Sequence, residues 1–124
     1  MPTTVKAKSS PWQLAKASGP ALFAWRRSVG LNRATFAGLA NFSERSLATY
    51  EKHKHLPKIA RPQVTEAVRL VKALQELVPA QDLSEWLRTP NSGFDGRKPW
   101  SLIRSGERDV IWSMIHQTQQ AAFA

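Results

Sequence analysis

The sequence has 124 residues and a formal net charge of +9, enough chain for one compact domain or two small helical ones sharing a core. It contains no cysteine, which excludes a disulfide framework and a thiolate metal site. The first 30 residues hold no apolar run long enough for a signal peptide, and no stretch elsewhere is long enough to span a bilayer. The cytoplasm is the expected location, with no membrane contact.

The charge is segregated. Residues 1–61 carry eleven Lys and Arg against two acidic residues, Glu44 and Glu51, whereas residues 62–124 carry seven of each sign. All of the excess positive charge therefore lies in the first half. A charge serving solubility has no reason to segregate in this way, but a phosphate-binding surface does.

Residues 1–18 read as a flexible basic tail with Lys6, Lys8 and Lys16, and with Trp12 as its only large anchor. Gly19-Pro20 then opens a helix, because Pro suits a first helical position. Leu22, Trp25 or Arg26, and Val29 repeat at helical spacing, so this helix forms one wall of a core and Gly30 ends it.

Residues 31–51 read as two short helices with a tight turn between them. Asn32 and Ser43 each supply a side-chain oxygen that can cap a helix start. Phe36, Ala37 and Ala40 share one face of the first helix, and Leu47 and Tyr50 share one face of the second. Ala37 is small enough to let the helices cross closely, and Asn41 stands where a left-handed backbone is expected. The pattern is that of a helix-turn-helix; an ordinary helical hairpin is the plain alternative.

These residues resemble the Xre family of lambda-repressor-like DNA-binding domains. Leu31, Ala37, Asn41, Ser43, Leu47 and Glu51 stand where that family has Leu, Ala, Gly, Ser or Thr, Ile and Glu, with Asn41 as a departure from Gly. The resemblance implies that the second helix is a recognition helix. Its candidate DNA contacts are Ser43, Glu44, Arg45, Ser46 and Thr49. Arg45 has the strongest chemical case, since a guanidinium can donate two hydrogen bonds to guanine. Glu44 could accept from cytosine, or simply complement the helix dipole. Arg33, at the start of the preceding helix, is placed to meet a phosphate.

The following stretch, residues 52–62, is KHKHLPKIARP. His53 and His55 have no acidic residue or Cys beside them, so no metal site is read there. Lys52, Lys54, Lys58 and Arg61 instead suit a basic loop along a duplex backbone, giving affinity without sequence preference. Residues 62–78 then form an amphipathic helix with Val64, Ala67, Val68, Val71, Leu74 and Val78 on one stripe, stopped by Pro79.

In the second half, Leu83, Trp86 and Leu87 mark a short helix that ends at Thr89-Pro90. A turn rich in Asn, Gly and Asp follows. Pro99 opens a helix with Trp100, Leu102 and Ile103, and Gly106 breaks it before a last helix bearing Val110, Ile111, Met114 and Ile115. Trp86-Leu87, Pro90-Asn91, Phe94, Gly96, Pro99, Leu102 and Gly106 resemble the toxin-binding domain of Xre/MbcA/ParS-type antitoxins. Phe94 in place of Leu, and the bulk of Trp100 after the Pro, depart from that pattern. The candidate toxin contacts are Phe94, Arg97, Trp100, Arg104 and Trp112, the indoles because large aromatic side chains suit an interface.

The expected fold is all-α: a lambda-repressor-like helix-turn-helix bundle over residues 19–78, after the tail of residues 1–18, and a small helical toxin-binding module over residues 79–124. The resemblance implies an antitoxin that neutralises a cognate toxin, most often of the RES type that degrades NAD, and that represses its own operon through operator DNA. A homodimer, or a higher hetero-oligomer with the toxin, is expected because one short recognition helix reads few base pairs. The alternative is a stand-alone dimeric repressor. No metal-ligand cluster, nucleophile motif or Gly-rich phosphate loop points to an enzyme, and no cofactor is expected.

Overall fold

The computed structural model describes residues 11–122, with side chains from Gln13 to Ala121; Lys6 and Lys8 of the expected flexible tail and the anchoring by Trp12 lie outside these. Among the described residues the chain forms eight α-helices and three short 3₁₀ turns, with no strand. The expected all-α class holds. Two compact units divide between Arg69 and Leu70.

The first unit contains α1 (Pro11–Ala15), α2 (Gly19–Ser28), α3 (Arg33–Ala40), α4 (Glu44–Tyr50), the 3₁₀ turn Lys58–Ala60 and the start of α5 (Arg61–Gln75). Local chemistry sets most of these boundaries. The Ala21 N–H donates to Ser18 Oγ at 3.1 Å, and Pro20 follows in the first turn of α2. The Thr35 N–H donates to Asn32 Oδ1 at 2.8 Å, and the Ser46 N–H donates to Ser43 Oγ at 3.0 Å, so both expected caps form. Asn41 takes the left-handed conformation at φ 61°, and the Phe42 N–H donates to the Ala37 carbonyl at 2.8 Å to close α3. Phe36, Ala37, Leu39 and Leu47 are buried in the core that α3 and α4 share.

Part of the expected tail is structured. Leu14 and Ala15 of α1 are buried, because a short run without Gly or Pro between Trp12 and Ser18 can close one helical turn and turn two apolar side chains inward.

The alternative left open in α2 is resolved in favour of Arg26, which is only 3% exposed, while Trp25 is half-buried and sets its ring edge-on to Phe36 at 6.0 Å. Arg26 donates from Nε to Glu51 Oε2 at 2.7 Å and from Nη2 to Glu51 Oε1 at 3.0 Å. Its Nη1 donates to the Leu31 carbonyl at 3.0 Å. One guanidinium thus ties together α2, the turn into α3, and the end of α4. Gly19 packs the same region from the other side. Its N–H donates to the His53 carbonyl at 2.8 Å, and a Cβ there would lie 2.2 Å from the Tyr50 carbonyl oxygen, so only Gly fits.

The second unit holds the end of α5, the 3₁₀ turn Ala80–Asp82, α6 (Leu83–Leu87), the 3₁₀ turn Ser92–Phe94, α7 (Pro99–Arg104) and α8 (Arg108–Ala122). Regular α-helix ends at Gln75 rather than at residue 78. The Val78 N–H still turns back to the Leu74 carbonyl at 2.8 Å before Pro79 disfavours further helix. Leu83, Leu87, Leu102, Ile111 and Ile115 are buried. Gln119 Nε2 donates to Glu76 Oε1 at 3.2 Å, tying α8 to the chain just after α5.

Breaking the buried pair leaves one charge without its partner, at a cost of about 3–5 kcal/mol. Arg26→Met and Glu51→Leu are each expected to lower the melting temperature sharply by circular dichroism. The double variant is expected to be more stable than the sum of the two losses implies.

Candidate nucleic-acid and partner surfaces

Exposed cations of the first unit stand at two features near α3 and α4, and others rim the turn at Lys58–Ala60. The first is α4, where Glu44 and Arg45 are exposed. Ser43 Oγ, besides capping the helix, donates to Ser46 Oγ at 3.0 Å, and Thr49 Oγ1 donates to the Arg45 carbonyl at 3.1 Å. The hydroxyls of Ser43, Ser46 and Thr49 are therefore partly engaged within the helix. Arg45 carries the largest exposed hydrogen-bonding capacity of the group.

The second feature is a cleft of about 420 Å³ at the α2–α3 corner, lined by Phe23, Arg26, Arg27, Gly30, Leu31, Asn32 and Arg33. Gly30, at φ 75°, makes the sharp exit from α2 that opens it. Arg33 is exposed, with its Nε 3.5 Å from Glu51 Oε1. Since Arg26 already compensates Glu51, Arg27 and Arg33 leave the cleft positive. Arg27 was not singled out in the sequence; the only signal was its place beside Arg26 at the end of a helix. Lys52 and Lys54 are exposed on the following loop.

In the second unit, the loop between α6 and α7 is held by its own backbone. The Asn91 N–H donates to the Arg97 carbonyl at 3.1 Å, and the Gly96 N–H donates to the Asn91 carbonyl at 2.9 Å. Asp95 and Gly96 take successive positive φ values of 58° and 79°, a conformation that Gly96 adopts without strain. Phe94 differs from its expected place. It is only 5% exposed and meets Trp86 edge-on at 6.4 Å, because the 3₁₀ turn points it inward, where it anchors the loop.

Arg97 is exposed but engaged, donating to both carboxylate oxygens of Glu107 at 2.8 and 3.1 Å. Ser105 Oγ donates to Glu107 Oε2 at 2.5 Å. Those two hydrogen-bond donors, Arg97 first, draw the Glu107 carboxyl down to about 2 from its ordinary 4.5. Arg97 in return is held above its ordinary value, chiefly by its hydrogen bonds to Glu107. The pair fastens the loop to the α7–α8 turn.

Trp100 is half-buried, with the guanidinium of Arg88 4.9 Å and that of Arg104 6.0 Å from its ring centre. Arg88 and Arg104 are themselves exposed, so an indole and two cations form one patch. Arg88 was missed in the sequence because its position after the end of α6 gives no sign that it reaches a ring on α7. Trp112 is half-buried on α8, 6.0 Å from the His116 ring.

Residues 73–111 match the model of the antitoxin Xre/MbcA/ParS C-terminal toxin-binding domain. Mycobacterial cidal antitoxin MbcA from Mycobacterium bovis and from Mycobacterium tuberculosis is 25% identical over 96 residues, covering 77% of this chain and 85% of the relative. The chain is similar to the Xre/MbcA/ParS-type antitoxins, and its residues 73–111 to their toxin-binding domain. No solved structure matches. The toxin-binding-domain match takes in Phe94, Arg97, Trp100 and Arg104, while Trp112 lies one residue beyond it.

The Arg97–Glu107 pair has a pH signature. A carboxyl whose value falls on folding stabilises the fold above its unfolded value, and that stabilisation is lost as pH falls through the folded value. Glu107→Gln is therefore expected to lower the melting temperature near neutral pH. The gap to the parent protein should close between pH 4.5 and about 2. A gap that stays constant down to pH 2 would show that the pair does not fasten the loop.

Proposed function

We propose that this chain is an antitoxin that neutralises its cognate toxin through the second unit and represses its own operon by binding operator DNA through the first. The observation that carries this reading is the division of the chain. The toxin-binding-domain match falls on the electrically neutral half, and the whole net charge of +9 falls on the half that holds α3 and α4. The toxin we propose is of the RES type, an NAD-degrading enzyme, as the family resemblance implies.

On DNA, α4 acts as the recognition helix and Arg45 donates to guanine O6 and N7. Glu44 lies beside it, while Ser43, Ser46 and the methyl of Thr49 supply closer, shorter contacts. Arg27 and Arg33 hold a phosphate at the start of α3, where backbone N–H groups point outward. Lys52 and Lys54 add phosphate contacts along the strand. A homodimer places two such helices on successive half-sites, and the toxin joins it in a larger assembly.

On the toxin, the patch of Trp100, Arg88 and Arg104 is the centre of contact, with Trp112 extending it along α8. An indole flanked by guanidiniums combines apolar area with charge that suits an acidic surface. Arg97 and Phe94 hold the loop in shape for this contact.

The two roles are separable. Arg45→Ala is expected to lose roughly 5- to 150-fold in operator affinity and to keep its grip on the toxin. Trp100→Ala is expected to do the reverse. Operator affinity should fall about a thousandfold between roughly 50 and 200 mM salt if about six phosphates are contacted. Electrophoretic mobility shift and pull-down of the adjacent gene's product would read both; a flat salt response would count against DNA as the partner of the first unit.

A further inference from the structure

The turn after α4 presents one large apolar side chain that the first unit does not bury. Ile59 is 82% exposed, although Leu56 and Ala60 on either side of it are each 1% exposed. The turn is firmly made. The Ala60 N–H donates to the Pro57 carbonyl at 3.0 Å, and Arg61 Nε donates to the Leu56 carbonyl at 3.3 Å. Ile59 is thus held outward by a turn pinned at both ends.

Solitary exposed apolar side chains are common. Ile59 differs in what surrounds it. Residues 52–61 contain Lys52, Lys54, Lys58 and Arg61 and no acidic residue. Lys58 and Arg61, with Lys16 from the end of α1, rim a cleft of about 560 Å³. A symmetric contact between two copies through this turn would set cation against cation with nothing to compensate. A duplex satisfies both features at once, since phosphates meet the cations while deoxyribose edges and thymine methyls offer apolar surface between them.

We propose that Ile59 enters a groove of the operator and makes an apolar contact there, flanked by Lys58 and Arg61 on the phosphates. It is a second determinant of sequence preference, outside α4. This inference rests on the DNA-binding reading of the first unit.

The test uses the full chain and two duplexes of equal length, one from the region upstream of the protein's own reading frame and one with that sequence scrambled. Ile59→Ala is expected to weaken binding to the upstream duplex about tenfold, from the methyl and methylene groups lost. The slope of log affinity against log salt should not change, because an apolar contact releases no counterions. Lys58→Ala is expected instead to reduce that slope by about 0.9. Unchanged affinity in Ile59→Ala would overturn the proposal. So would a loss of affinity accompanied by a shift to a smaller species in sedimentation, which would make Ile59 a contact between copies. Failure of the parent protein to bind either duplex would overturn the DNA-binding reading itself, and this inference with it.

Discussion

The buried pair of Arg26 and Glu51 is the constraint on which the first unit depends. Both ions are withdrawn from water, and that desolvation is offset only because the guanidinium meets two carboxylate oxygens and a backbone carbonyl at once. The three bonds join α2, the exit toward α3 and the end of α4, so the angle at which α4 is presented follows from them. Gly19 contributes by letting the start of α2 approach the Tyr50 carbonyl, where any side chain would intrude. The same carboxylate also stands 3.5 Å from Arg33. A core contact and the positive cleft at the α2–α3 corner are therefore linked through one residue.

The second unit solves a different problem. Its helices are short, so its shape depends on the loop before α7. Asn91 closes that loop through its backbone, Gly96 supplies the positive φ, Phe94 plugs it from within, and Arg97 with Glu107 fastens it from outside. What remains outward is Trp100 between Arg88 and Arg104.

Features fixed by local chemistry were legible in the sequence. The caps at Asn32 and Ser43, the left-handed Asn41, Pro99 at the start of α7 and Gly96 in its loop each depend on a residue's own conformational preference or on neighbours within three positions. Features that need a distant partner were not. Helical spacing allowed either Trp25 or Arg26 to face inward, and nothing in α2 announces a carboxylate 25 residues away. Burial of Phe94, burial of Leu14 and Ala15, and the reach of Arg88 to Trp100 likewise depend on tertiary placement. Position within a motif does not reveal which way a short 3₁₀ turn points a ring, so the inward placement of Phe94 was not legible either.

The central claim is that this chain is one half of a toxin–antitoxin pair, and growth tests it most directly. The product of the neighbouring gene would be expressed under tight control, alone and together with this protein, and colony-forming units counted. The account predicts arrest or death with the neighbour alone and restored growth on co-expression, with the two proteins recovered as one complex. Normal growth with the neighbour alone, and no complex between the two, would contradict it.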